Sequence, residues 1–433
     1  MVLKILFNII EKLTGIRIAN SPNFPRILEN SKWLLFDNIV RFGGGFLVTA
    51  WMARYLGPGQ FGAFNYAFAF ASFFTFLGTL GLNEIIVRNI IRIPSQRDDI
   101  IGTAFLLRIL GGTIAFGFAL ALISFFSPSD TTTHWLVGIL TAGIIFQSFD
   151  VIDFYFQSQL QSRYVVWARI VAFIFVSLFK IFLILKHASL IAFAWAWSLE
   201  FLLAGIGLVF VYRLRGFSLK IERFQNRIAQ SLMRDSWPMI LSGIAVMINM
   251  RIDQIMIRHM LGEREVGIYA AAAKVSEAWY LIGMIIISST FPIIMNLKKE
   301  SESLYRKKCR QLYKVLIIVG AVAFCATFLM AKPIIFLLYG QAYSQSSAVL
   351  SMHVLGVVFV YLGAASTYAL VANGLQKYHI YRTVLGCAVS VVLNLILIPR
   401  FGLMGAVYSM LCSYCISVFS ILFFKETKTI FWE

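Results

Sequence analysis

The stretch SKWLLFDNIVRFGGGFLVTAWMARYLGPGQFG, Ser31 to Gly62, decides how this chain is read. From Trp33 to Met52 it is mostly apolar and, at about 1.5 Å per residue, long enough to cross a hydrocarbon core of roughly 30 Å. Yet it carries Asp37 and Arg41, followed by Gly43, Gly44 and Gly45. A carboxylate and a guanidinium inside a lipid-crossing helix are expensive, so they mark a pairing or a task.

The composition extends this reading to the whole chain. Of 433 residues, 59% are hydrophobic and 13% are charged, with a mean hydropathy of +0.80. A soluble domain needs more polar surface, so the chain reads as an all-α polytopic membrane protein. Twelve apolar stretches of helix length lie near 33–52, 63–83, 103–126, 134–156, 164–185, 189–212, 237–260, 267–291, 312–331, 347–371, 378–398 and 402–424. They are too long for barrel strands and lack period-two alternation.

The formal net charge of +18 is not a nucleic-acid signature, because the basic residues gather in short connectors. If the N-terminus is cytoplasmic, 27 of the 38 Lys and Arg fall in inner connectors and six in outer ones. This bias predicts that both termini are cytoplasmic. The expected organisation is an interfacial segment at 1–32, a six-helix bundle at 33–212, a cytoplasmic linker at 213–236 and a second bundle at 237–433. Cys412 and Cys415 form a C-x-x-C, but inside the last apolar span they read as small residues in lipid; the five histidines show no metal-ligand spacing, and no cofactor is expected. There is no nucleophile–base set and no phosphate loop, and no connector is large enough for an outer catalytic domain. The chain is therefore not read as an enzyme.

An internal repeat supports two like halves. RYLGPGQFGAFNYA at Arg54–Ala67 aligns with HMLGEREVGIYAAA at His259–Ala272, at an offset of 205. Leu56, Gly57, Gly62 and Ala67 match Leu261, Gly262, Gly267 and Ala272. Each copy joins an outward-going span to a returning one, which gives a parallel repeat.

Ordered motifs along nearly the whole chain carry a resemblance. They are ARYLGPGQFGAFNYAFAF at Ala53–Phe70, LGLNEIIVR at Leu80–Arg88, DFYFQSQLQSRYVVWARI at Asp153–Ile170, RIDQIMI at Arg251–Ile257, LLYGQAYSQSSAVL at Leu337–Leu350 and NLILIPRFGLMGAVYS at Asn394–Ser409. Together they resemble the repeat-unit flippases of polysaccharide biosynthesis, such as O-antigen translocases, within the multidrug/oligosaccharidyl-lipid/polysaccharide exporter superfamily. Glu84 and Ser158 depart from the small residue and the glycine that many relatives carry there. The resemblance implies a V-shaped transporter of about 12 helices in the bacterial inner membrane. Its substrate would be an undecaprenyl-diphosphate-linked oligosaccharide, moved from the cytoplasmic to the periplasmic leaflet. Membrane lipids and a glycan polymerase are the implied partners.

The charges at membrane depth are the candidate site. Arg41, Arg251 and Lys274 are the candidate phosphate and glycan contacts, since guanidinium forks bind phosphate oxygens in pairs. Asp37, Asp150, Asp153, Glu200 and Asp253 are the candidate cavity or ion-coupling carboxylates, for a proton or sodium. Ordinary pairing competes with each of these roles. Asp37 and Arg41 are i,i+4, and Lys274 and Glu277 are i,i+3. Glu200 has Lys180 or Arg169 as candidate neutralising partners, and Asp253 cannot share a helix face with Arg251. Arg108 and Arg169 lie near the inner surface, where they can snorkel. A cation-coupled exporter of small drugs on the same fold is the competing function; it favours a carboxylate site without cationic walls.

Overall fold

The computed structural model describes residues 24–219, 223–424 and 426–427, so the first 23 residues of the expected interfacial segment lie outside it. Every element assigned among the described residues is helical. The chain spans the membrane many times, as its composition requires. Among the described residues, eleven helical segments are long and apolar enough to cross. The first of these, Lys32–Arg92, runs for 61 residues and contains both of the expected spans at 33–52 and 63–83. At about 1.5 Å per residue it is roughly three bilayer cores long.

One compact unit comprises Pro25–Arg251. It opens with α1 (Phe24–Phe73), which holds the glycine run and Pro58. The triplet Gly43–Gly45 does not bend the helix; it allows close packing. A Cβ on Gly44 would stand 3.1 Å from the Phe173 ring, and one on Gly45 would stand 3.5 Å from it. The break comes later, at Gly57, where φ 70° and ψ 170° interrupt α1. The short α2 (Thr75–Thr79) and α3 (Asn83–Arg92) follow. Then come α4 (Arg97–Phe126), α5 (Thr131–Phe146) and α6 (Asp150–Ser158), with a 3₁₀ turn at Gln147–Phe149 between the last two. The hairpin α7 (Arg163–Leu185) and α8 (Leu190–Leu214) completes the bundle. Its core joins Leu82, Ile86, Ile90, Phe156 and Tyr212 with Leu232 from the next helix.

That next helix, α9 (Asn226–Leu261), begins inside the stretch expected as the 213–236 linker. Polar composition marks water, not the end of backbone hydrogen bonding, so the helix starts well before its apolar part. The division between the compact units falls inside α9, after Arg251. The residues before it are fastened to the first bundle. Arg223 lies 3.7 Å from Asp99, Gln225 donates its backbone N–H to Thr103 at 3.1 Å, and Arg88 pairs with Asp235.

The second unit, from Ile252 onward, adds α10 (Glu263–Glu277), α11 (Tyr280–Glu300) and α12 (Glu302–Tyr339). These are followed by α13 (Ser346–His353), α14 (Gly356–Ala372), α15 (Gln376–Phe401) and α16 (Leu403–Ser420). Gly262, the repeat partner of Gly57, separates α9 from α10 with φ 106° and ψ 175°. Both members of the aligned pair thus hold a positive φ that a side chain would strain. The break between α10 and α11 is covered rather than left open in lipid, where an unpaired carbonyl is costly. Between α10 and α11 the Trp279 carbonyl accepts from the Tyr361 hydroxyl at 2.5 Å. Arg382 is buried inside α15 at 4% exposure. It donates to the Gly363 carbonyl at 2.7 Å and to Thr367 Oγ1 at 2.5 Å. The exposed large apolar side chains, among them Phe125, Leu178, Leu329 and Leu337, form a lipid-facing surface.

A tight seam in this unit joins α15 to α16. A Cβ on Gly405 would lie 2.1 Å from the Leu397 carbonyl oxygen, which is backbone and cannot step aside. Gly405→Ala is therefore expected to destabilise the protein by about 1–3 kcal/mol, the usual penalty for overpacking. Thermal unfolding in detergent checks this; an unchanged midpoint would contradict the close approach.

Candidate functional site

The site is built from four cations and four carboxylates within the first unit. The 3₁₀ turn at Gln147–Phe149 leads into α6, whose first turn carries Asp150 and Asp153. Asp153 is 2% exposed. Arg169 of α7 reaches both of them: its Nη2 donates to Asp150 Oδ1 at 3.0 Å and lies 2.7 Å from Asp153 Oδ2. Arg108 of α4, also 2% exposed, stands 3.8 Å from Asp150 Oδ2. It donates to Asn83 Oδ1 at 3.1 Å and lies over the Phe154 ring at 5.2 Å.

The second half of the cluster centres on Glu200 of α8. Arg41 Nη2 is 3.6 Å from its Oε1, and Lys180 Nζ is 3.5 Å from its Oε2. Arg41 Nη1 also lies 3.7 Å from Asp37 Oδ2. The two halves meet at one cavity, which Arg41 and Glu200 line together with Asp150 and Arg169. The contacts differ in kind. Arg169 makes pairs at hydrogen-bond distance, whereas Arg41 and Lys180 sit at ion-pair distances too long for a strong hydrogen bond. Arg41 Nε and Asp37 Oδ1 are buried and have no hydrogen-bond partner. This looser half borders a cavity of about 180 Å³, lined by Arg41, Gln147, Asp150, Arg169, Glu200 and Phe201 among others. Unspent donors and stretched ion pairs at a cavity wall leave room for an incoming anion to compete for Arg41.

The structure thus gathers Arg41, Asp37, Asp150, Asp153 and Glu200 into one cluster. The i,i+4 pair of Asp37 and Arg41 forms, but as one contact in a larger network. Arg251 is not part of it: its guanidinium lies 5.9 Å from the Phe68 ring centroid, and Phe68 packs edge-on against Trp197 at 5.6 Å. Asp253 and Lys274 belong to the second unit. Asp253 is 4% exposed and accepts from the Tyr269 hydroxyl at 2.8 Å and from Asn394 Nδ2 at 2.7 Å. Lys274 is half-buried on α10. No group of three or more metal-ligating side chains occurs among the described residues.

Arg169 and Arg108, which the sequence placed near the surface as snorkelling residues, instead anchor the cluster. A signal for Arg169 exists in the sequence. Asp153 and Arg169 are equidistant from residue 161 in the α6–α7 turn, as Lys180 and Glu200 are from residue 190 at the α7–α8 turn. In antiparallel hairpins, residues equally far from the turn meet across it.

The sequence profile of one family, described as polysaccharide biosynthesis protein, matches residues 27–298. The chain belongs to that family. It is 20% identical over 413 residues to the capsular polysaccharide biosynthesis protein CapF of Staphylococcus aureus, spanning 92% of this chain and 99% of CapF. Among solved structures it is similar to the lipid II flippase MurJ in an inward closed conformation, with a TM-score of 0.72 at 13% identity over 93% of this chain and 90% of that one. An inward-facing multidrug resistance MATE family transporter of the MOP superfamily gives 0.71 at 13% identity, over 91% and 95%. The fold is that of these transporters.

Removing Arg169 strands two carboxylates in the membrane. Arg169→Ala is expected to destabilise the protein by about 3–5 kcal/mol, as truncating one side of a buried ion pair does. Adding Asp153→Asn should recover part of that loss. Thermal stability of the two single variants and the double variant measures the coupling; additive losses would mean that the contact carries no energy.

Proposed function

We propose that this protein moves an undecaprenyl-diphosphate-linked oligosaccharide from the cytoplasmic to the periplasmic leaflet of a bacterial inner membrane, by alternating access. The supporting observation is the cavity at Arg41, where a cation at membrane depth is held by long ion pairs to Asp37 and Glu200. A diphosphate brings acceptor oxygens that suit a guanidinium fork, and can take the place of those carboxylates. Membership of a polysaccharide biosynthesis family favours a glycan cargo. In this reading the lipid tail stays in the bilayer, both termini are cytoplasmic, Arg251 and Lys274 make later contacts, and the protein is a transporter without enzymatic chemistry. Its products pass to a glycan polymerase.

A small-molecule exporter on the same fold is the second reading, favoured by the MATE likeness. Such a site needs carboxylates open to a cationic drug. Here Asp150 and Asp153 are engaged by Arg169, and Glu200 is engaged by Arg41 and Lys180.

Coupling to a proton or sodium gradient falls to Glu200 or Asp253. Asp253 suits that role because its hydrogen-bond partners among the described residues, Tyr269 and Asn394, are neutral. Asn394 Oδ1 is also buried without a partner.

A strain lacking the protein is expected to accumulate complete lipid-linked repeat units on the cytoplasmic leaflet. Single units already in the periplasm would point to a polymerase instead. In that strain, Arg41→Ala should restore at least tenfold less surface glycan than the wild-type chain at equal membrane abundance. Asp37→Asn should change the affinity for the lipid diphosphate. If Asp37→Asn left both transport and affinity untouched, Arg41 would be a structural residue. Asp253→Asn should cut export about tenfold and remove its dependence on the ion gradient; undiminished gradient dependence would exclude Asp253 from coupling.

A further inference from the structure

A second cavity lies in the same unit, at the start of the helices that carry the first. It measures about 340 Å³ and is lined by Glu29, Asn30, Trp33, Gln159, Gln161 and Arg163, with Leu160. Trp33 is near the beginning of the first membrane segment, and Arg163 is the first residue of α7. Arg41 and Arg169, which line the charged cavity, stand further along the same two helices. The eight residues from Trp33 to Arg41 and the six from Arg163 to Arg169 correspond to about 12 Å and about 9 Å of helix rise. The second cavity is therefore a rim site, about two turns nearer the membrane face than the charged one.

Its lining differs from that of the deeper cavity. Three of the residues are amides, and an amide both donates and accepts hydrogen bonds. Adjacent hydroxyls on a sugar ring make the same double demand. A phosphate offers only acceptors, and would call for a run of cations. There is a single cation here, Arg163; its Nη2 donates to the Tyr164 hydroxyl at 2.7 Å, and its guanidinium lies 4.7 Å from that ring's centroid. Glu29 supplies an acceptor. Trp33 supplies a broad apolar face of the kind that packs on the C–H face of a pyranose. The Trp33 ring is braced by Trp167 at 5.9 Å and by Phe36 at 6.3 Å.

The rim is also held in shape before any ligand arrives. Asn30 Oδ1 accepts the Ser162 backbone N–H at 2.8 Å, tying the start of α1 to the turn between α6 and α7. That bond uses the acceptor of Asn30 and leaves its Nδ2 available.

We infer that the rim cavity is a sugar-reading subsite, with Trp33 as the stacking platform and Gln159 and Gln161 as the hydroxyl readers. The inference rests on the proposed flippase reading. It adds that the first sugars of the cargo sit at the rim while its diphosphate engages Arg41 about two turns deeper. This order matches a lipid-linked glycan, whose phosphates lie nearer the bilayer than its sugars.

The full-length chain in lipid nanodiscs tests this with two probes: a polyprenyl diphosphate without sugar, and the same lipid carrying the oligosaccharide accumulated by the deletion strain. Wild-type protein is expected to bind the glycan-bearing probe about tenfold more tightly than the bare one. Trp33→Ala and Gln161→Ala should each remove most of that difference while leaving the affinity for the bare lipid unchanged. Trp33→Phe should keep about half of the preference on a logarithmic scale. Gln161→Ala guards against misfolding at Trp33, and unchanged bare-lipid affinity reports an intact deeper site. If the variants weaken both probes equally, the rim binds a lipid headgroup and the inference is wrong. It is equally wrong if the variants change the affinity for neither probe. If wild-type protein binds neither probe, the flippase reading itself fails, and the sugar subsite falls with it.

Discussion

The pairing of Arg169 with Asp150 and Asp153 is the constraint on which the first unit depends. A lone charge at membrane depth costs several kcal/mol, and two lone carboxylates cost more. The broken helix between α5 and α6 puts both acids on one short turn, and α7 must then pass close enough to bring its guanidinium between them. Arg108 approaches the same acids from α4 and is itself closed off by Asn83 and Phe154. Several helices are thereby held in register by a single electrostatic requirement. The apolar packing around it is non-directional as a driving force, and its shape completes the register.

The same cluster grades from tight to loose. At Arg169 the distances are those of good hydrogen bonds; at Arg41 and Lys180 they have lengthened past that range. Structural and functional demands are separated along this gradient. The tight end holds the helices, and the loose end borders a cavity and keeps a guanidinium available. The glycines of α1 contribute to this arrangement. By admitting the Phe173 ring against Gly44 and Gly45, they let α1 and α7 approach, and these are the helices that bear Arg41 and Arg169.

Much of the fold was legible because lipid imposes a simple rule. Apolar runs of the right length become helices, and the positions of most spans followed. The departures have a common cause. Helices such as α9 and α12 run on through polar residues at the membrane face, where hydrogen bonding continues after hydrophobicity ends. Breaks such as the 3₁₀ turn at Gln147–Phe149 leave almost no trace in composition. Gly57 was more readable, because its aligned partner Gly262 stands 205 residues later and adopts the same positive-φ break.

The candidate site divides in the same way. The sequence by itself determined which charges enter the membrane, and that they must find partners. It also revealed a pair within a single helix, Asp37 with Arg41, because helical periodicity fixes which residues share a face. Beyond pairs across one hairpin, partner choice between helices was decided only by the tertiary structure. Glu200 meets Arg41 as well as Lys180, Asp253 meets Tyr269 and Asn394, and Arg251 lies against Phe68. The physical reason is that periodicity specifies direction around one axis, whereas contact requires the position and rotation of a second helix. Those are set by packing summed over many side chains.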